Sequence, residues 1–215
     1  DWSSFEGDAG EAFSMLMEIV DEYGWDNQVT MTFISDMAAW AAEDVERGLD
    51  IIGKLADDYG WDHIATISFI AAFSENLLTY TDAEAVLANL LNAGNEWDSV
   101  AVITFLENVN MDVFITLPQR MTAIGYVASQ AGWHSDAAID FIARFSNDGM
   151  AWDDIWDALK GYGATDAEIT KTLQGVWFNS TAENWDWETF EHNWNLAGME
   201  DSWATKYLKA MFEGD

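Results

Sequence analysis

Apolar residues recur along this chain at helical spacing and, over a longer distance, in register with one another. Trp25, Trp61, Trp97 and Trp133 stand 36 residues apart, and so do Phe33, Phe69, Phe105 and Phe141. Each Phe is followed by Ile34, Ile70, Leu106 or Ile142, and two positions before it stands Met31, Ile67, Ile103 or Ile139. A helical pattern that repeats every 33 to 40 residues or so is what two-helix units stacked side by side produce.

Each unit reads in the same way. After Gly-Trp or its equivalent, an Asp (Asp26, Asp62, Asp98) stands where an N-cap is expected, able to accept from the free N–H groups of a first turn. A helix of about twelve residues is predicted behind it. A polar break follows, then a second helix starting near residues 45, 81, 117 and 153. Thr81-Asp82-Ala83-Glu84 has the form of a capping box, and Thr116, Pro118 and Gln119 combine a box with an early proline. The apolar face of the second helix runs Leu49, Ile52, Leu55 in one copy and Met121, Ile124, Val127 in another, and Gly24, Gly60 and Gly132 are placed to end it. Phe13, Leu16 and Ile19 match Leu49, Ile52 and Leu55, so residues 9–23 are predicted to be a second helix without its first.

The expected fold is all-α. Residues 1–163 read as an α-solenoid-like array, about four to five two-helix repeats with the orphan helix at 9–23 and repeats starting near Trp25, Trp61, Trp97 and Trp133. Residues 164–215 read as a divergent last repeat, restarted by Thr165-Asp166-Ala167-Glu168, and a Trp-rich helical C-terminal cap in the same continuous domain. No strand-like alternation stands out, and Pro118 is the only proline. The tetratricopeptide, ankyrin and HEAT signatures are not met.

Composition narrows the partners. Half of the 215 residues are hydrophobic, with 13 Trp and 12 Phe, so the chain can build a core and does not read as a disordered acidic tail. Its 39 Asp and Glu against 8 Lys and Arg leave a net charge of −31. Such a surface repels nucleic acid and anionic lipid, which bind Lys/Arg patches, and attracts divalent cations or a basic protein. Cysteine is absent, which removes disulfides and thiolate metal sites. The longest nearly apolar run, Ile64 to Phe73, is too short to span a membrane. The chain opens on Asp1 instead of Met, as after removal of a leader or trimming. Together with the acidity, this gives the expectation of a secreted or cell-surface protein, with the cytoplasm of a halophile as the alternative.

Candidate chemistry is sparse. Asp21, Glu22, Asp57 and Asp58 fall in the last turn of a predicted helix, where the macrodipole favours cations, and each pair is followed by Asp26 or Asp62. Free carbonyls and two or three carboxylates are the hard oxygen ligands of calcium, so these six residues are the candidate metal ligands. No other cofactor is expected. His63, His134 and His192 stand apart from one another and from any zinc motif. There is no GxSxG, glycine-rich phosphate loop or Cys nucleophile. Trp185, Trp187 and Trp194 cannot all share one narrow helix face and are candidate interface residues.

The expected function is non-catalytic: an exported acidic helical-repeat module serving as a structural or protein-interaction element, self-assembling at a cell surface or in an extracellular matrix. The alternative is a soluble solenoid holding a basic peptide, protein or saccharide on one face. A third is an enzyme acting on polysaccharide with paired carboxylates.

Overall fold

The computed structural model describes Trp2, Phe5 and residues 7–179. Among the described residues there are ten α-helices and no strand, so the chain is all-α. The helices are α1 (Ala9–Tyr23), α2 (Gln28–Ala41), α3 (Val45–Tyr59), α4 (Ile64–Glu75), α5 (Tyr80–Asn92), α6 (Val100–Asn108), α7 (Leu117–Ala131), α8 (Asp136–Asn147), α9 (Trp152–Gly161) and α10 (Asp166–Asn179). The predicted orphan helix is α1, and the second helices begin at 45, 80, 117 and 152, each within one residue of its predicted start.

The helix ends follow local chemistry. Gly24, Gly60 and Gly132 end α1, α3 and α7 at φ of 80°, 101° and 98°, where a side chain would be strained. The N-caps correct one expectation. α2, α4, α6 and α8 are capped by Asn27, His63, Ser99 and Ser135, one residue beyond Asp26, Asp62 and Asp98 in the first three. The reason is a four-residue turn. The N–H of His63 donates to Gly60 O at 3.4 Å, that of Ser99 to Glu96 O at 3.0 Å and that of Ser135 to Gly132 O at 3.1 Å. Trp and the residue after it occupy the two central positions of each turn, so the next side chain is the one that meets the helix.

A second correction concerns α5. Thr79, not Thr81, caps it: its hydroxyl accepts from the Asp82 N–H at 3.2 Å and donates to the Asp82 carboxylate at 2.6 Å. Thr79 and Thr81 are each followed three residues later by an acid, and the earlier start brings Tyr80 into the helix with its ring 5.8 Å from that of Phe114. The box at Thr116 and Gln119 forms as expected, with reciprocal bonds of 3.0 and 3.4 Å. So does the one at Thr165 and Glu168, at 2.8 and 3.3 Å. There the bonds from the Thr165 hydroxyl and N–H hold the Glu168 carboxyl below its usual range, with His134 adding a smaller pull.

The chain divides into two compact units, Asp1–Phe114 and Ile115–Asp215. The sequence-based division at 163/164 falls between α9 and α10, inside the second. In the first unit α1 packs on α3 and α3 on α5, while α2 packs on α4 and α4 on α6; α1–α2, α3–α4 and α5–α6 join the two rows. α4 carries a single charged residue, Glu75 at its end, because α2, α3 and α6 all pack against it. Phe69 and Phe73 on this helix are fully enclosed, each worth about 1.5–3 kcal/mol of burial. Leu16, Ile34, Met37, Ile52 and Leu55 complete that core. Gly48 lets α3 approach closely: a Cβ there would lie 2.1 Å from the Phe73 ring. Trp2, Phe5, Phe33 and Trp40 pack with ring centres 5.0–5.1 Å apart.

In the second unit α7 packs on α8 and α9, and both of these pack on α10. Ile124, Phe145, Ile155 and Ile169 are fully buried there. Gly125 gives way to the Tyr162 ring, and Gly175 to Ile139. The Thr172 hydroxyl donates to the carbonyl of Trp133, tying α10 to the turn that precedes α8. Among the described residues, no helix is long and apolar enough to cross a membrane.

Candidate functional site

Among the described residues, aromatic and acidic side chains gather where α1 and α3 end. Val20-Asp21-Glu22-Tyr23 closes α1 and Ala56-Asp57-Asp58-Tyr59 closes α3, with no basic residue in either last turn. Because α1 packs on α3, the two ends meet. Trp25, in the turn after α1, sets its ring against the next copy of the turn. It lies 4.9 Å from Tyr59 at 71° and 5.2 Å from His63 at 79°. Tyr59 and His63 are 5.2 Å apart and tilted by only 30°. The three rings therefore form two walls meeting at a corner, and all three are half-buried.

Hydrogen bonds fix the corner. The Tyr59 hydroxyl donates to Met17 Sδ on α1 at 3.2 Å. Nδ1 of His63 accepts from the Ala65 N–H at 3.3 Å, capping α4. Thr30 and Thr66 donate to the carbonyls of Gly24 and Gly60 at 2.7 and 2.9 Å, closing each turn from inside.

Asp21, Glu22, Asp26, Asp57, Asp58 and Asp62 are all exposed. Burial pushes the Tyr59 phenol up, and the charges of Asp58 and Asp21 push it further, so carboxylates from two helices bear on one ring. Tyr23, 45% exposed, is also raised, mainly by its hydrogen bond with Glu22. Among the described residues no three His, Asp or Glu side chains are grouped closely enough to hold a metal ion. The acids thus stand in the last turns of α1 and α3 and in the turns that follow, without converging on a point.

The other turns are chemically poorer. Trp25, Trp61, Trp97 and Trp133 are all half-buried, a common environment but less enclosed than the core Phe69, Phe105 and Phe141. The third turn keeps Glu96 and Asp98, and the fourth has His134 and Ser135. Trp185, Trp187 and Trp194 lie outside the described residues. Comparison with family models, with curated proteins and with solved structures found no match. The site is therefore read from its own chemistry.

Tyr59 and His63 carry much of the corner, although the sequence reading did not single them out as site residues. A usable signal was the Tyr two positions before Trp in both opening copies, Tyr23 and Tyr59. Elsewhere an open cleft of about 520 Å³ is lined by Asp8, Asp44, Glu46, Arg47, Asp50 and Lys54 among others. Its cations are engaged internally: Lys54 with Asp50 at 2.9 Å, and Arg47 with Asp44 at 3.9 Å and over the Trp40 ring at 4.1 Å. In the second unit Asp153, Asp154 and Asp157 crowd the start of α9, and burial, then its two neighbours, raise Asp154.

Proposed function

We propose that the chain is a non-catalytic, acidic helical-repeat module of α-solenoid type that works by presenting its turn-bearing surface to a protein partner. The observation that carries this is the recurrence of one turn geometry, with a half-buried Trp, at 36-residue intervals. Helical repeats bury their core between neighbours and leave extended faces free for binding. The row-wise packing of α1, α3, α5 and α2, α4, α6 supports the solenoid reading within the first unit. The net charge of −31 favours a basic partner over a second copy of an equally acidic chain. It also fits work outside the cell, where salt and divalent cations screen the surface. Self-assembly at a cell surface is the second reading, with calcium as the agent that would lower repulsion between copies.

Sedimentation velocity over a range of protein concentration, with and without millimolar calcium, separates the two. A monomer throughout supports the partner reading. Oligomers that form only with calcium support self-assembly. Turnover of a polysaccharide substrate by the purified chain would overturn the non-catalytic reading altogether.

A further inference from the structure

The ring corner at the ends of α1 and α3 has the parts of a cation-recognition site, and among the described residues no Lys or Arg is recorded against its rings. Trp25 stands nearly perpendicular to Tyr59 and His63, and all three rings are partly exposed, so an approaching group meets ring surface there. A cation over an aromatic face is attracted by the ring quadrupole, and more strongly where carboxylates lie beside it. Both ingredients are present: α1 packs on α3, the exposed Asp21 and Asp58 stand in their last turns, and both charges bear on Tyr59. The chain places no Lys or Arg between residues 1 and 46. Lys54, one turn from Asp58 on α3, is held by both carboxylate oxygens of Asp50 at 2.9 and 3.0 Å.

The same protein shows what such a corner does when a cation is supplied. Arg47 lies 4.1 Å over the Trp40 ring, donates to the Trp40 carbonyl at 3.2 Å and reaches Asp44 at 3.9 Å. Ring, acid and guanidinium are there all intramolecular. At Trp25 and Tyr59 the ring and acid recur, and no cation among the described residues is recorded over them.

We propose that the corner of Trp25, Tyr59 and His63, flanked by Asp21 and Asp58, docks a Lys/Arg-rich segment of a partner protein, one cationic side chain lying against the rings. The occupant follows from charge complementarity and ring chemistry together. A saccharide could stack on the rings and donate hydroxyls to the acids but would not draw on the net charge of −31, whereas a Lys or Arg side chain gains from the ring quadrupole, the carboxylates and that charge together. This assignment rests on the interaction-module reading and names the surface and partner class.

The test uses the whole chain and an octalysine peptide at low ionic strength, followed by titration calorimetry and tryptophan fluorescence. Wild type is expected to bind saturably. Asp21→Asn/Asp58→Asn should weaken binding by about tenfold or more. Asp36→Asn/Glu43→Gln, which removes two exposed charges from elsewhere on the same unit, should weaken it by less than about threefold. Tyr59→Leu should weaken binding as the acid pair does, and Tyr59→Phe, which keeps the ring, should restore it; thermal melts show that each variant folds. Equal weakening by the two charge pairs overturns the site and leaves only attraction to an acidic surface, with the interaction-module reading intact. Unchanged binding in both Asp21→Asn/Asp58→Asn and Tyr59→Leu overturns it in the same way. Failure of wild type to bind octalysine overturns the basic-partner assignment, whereas the interaction-module reading itself stands or falls on sedimentation and turnover.

Discussion

The turn at Gly60–His63 in the first unit and the turn at Gly132–Ser135 in the second have the same backbone and different chemistry. Both open on a positive-φ glycine, at 101° and 98°, close with an i to i+3 hydrogen bond and carry a half-buried Trp. In the first, the Gly60 carbonyl accepts from Thr66 Oγ1 at 2.9 Å, and His63 caps the helix. In the second, Ser135 does both jobs: its hydroxyl donates to Gly132 O at 3.0 Å and accepts from the Ala138 N–H at 3.3 Å. Asp57, Asp58 and Asp62 in the first stand where Ser129, Gln130 and His134 stand in the second. Glycine, tryptophan and a hydroxyl are thus enough to make the turn, and the acids are an addition that the backbone does not require.

The largest test of this equivalence lies in the core behind the turns. Phe69 and Phe141 occupy matching sequence positions and are 0% and 3% exposed. Each Phe→Ala substitution should cost about 3–5 kcal/mol in urea unfolding. Phe33, the same position in the first copy, is only half-buried, with Trp2 against it at 5.1 Å, and should cost clearly less. A gap of more than about 2 kcal/mol between Phe69 and Phe141 would break the comparison, since both should lose the same transfer and cavity terms.

The glycines come next. Gly60 has φ 101° and ψ 158°, Gly132 φ 98° and ψ 130°, a region that L side chains rarely adopt. Gly60→Ala and Gly132→Ala should each destabilise by about 1–3 kcal/mol. Space adds little: at Gly132 the nearest neighbour of a Cβ is 3.9 Å away, and at Gly60 it is the exposed Asp62 carboxylate at 3.2 Å, which must shift by a few tenths of an ångström. If either substitution proves neutral, that turn can relax into an ordinary conformation and the shared geometry is not obligatory.

How far this was legible in the sequence follows from the range of each interaction. Gly24, Gly60 and Gly132 as helix ends, Thr116 with Gln119, and Thr165 with Glu168 all involve neighbours within a few residues, and each was readable. The N-caps were misplaced by one because Asp26 and Asp62 are followed by Asn27 and His63, which can also accept, and only the turn geometry decides between them. Thr79 and Thr81 offered overlapping boxes, and the choice goes with Tyr80 meeting Phe114, more than thirty residues away. The ring corner needed α1 beside α3, because the sequence marks Trp25 and Tyr59 as repeated positions and does not show that they meet. Gly48 under Phe73 and Gly125 under Tyr162 were hidden for the same reason.

A smaller effect separates the two ways of closing the turn. Thr66→Val keeps the shape of a buried side chain and removes only its bond to Gly60 O, for a loss of about 0.5–1.5 kcal/mol. Ser135→Ala removes a cap and a carbonyl partner together and should cost about 1–2 kcal/mol. The sum of Thr66→Val and His63→Ala should approach Ser135→Ala. Loss from Thr66→Val alone equal to that of Ser135→Ala would mean that His63 caps nothing.

The smallest effect has the opposite sign and concerns the acids. Asp57 and Asp58 sit in the last turn of α3 beside carbonyls that already carry partial negative charge, and no basic residue shares that turn. Each such charge opposes the macrodipole by about 0.3–1 kcal/mol at low ionic strength, an effect that salt screens. Asp57→Asn/Asp58→Asn should therefore raise the melting midpoint in low salt and change it little in high salt. The reciprocal change, Ser129→Asp/Gln130→Asp at the end of α7, should lower it under the same conditions. Melts in chelator and in millimolar calcium complete the comparison. If calcium raises wild type above the Asn variant, the acids act as a cation site despite their open arrangement, and calorimetric heats should then vanish with Asp57 and Asp58. If the Asn variant melts higher in both media, the acids cost stability in the isolated protein and calcium does not offset that cost.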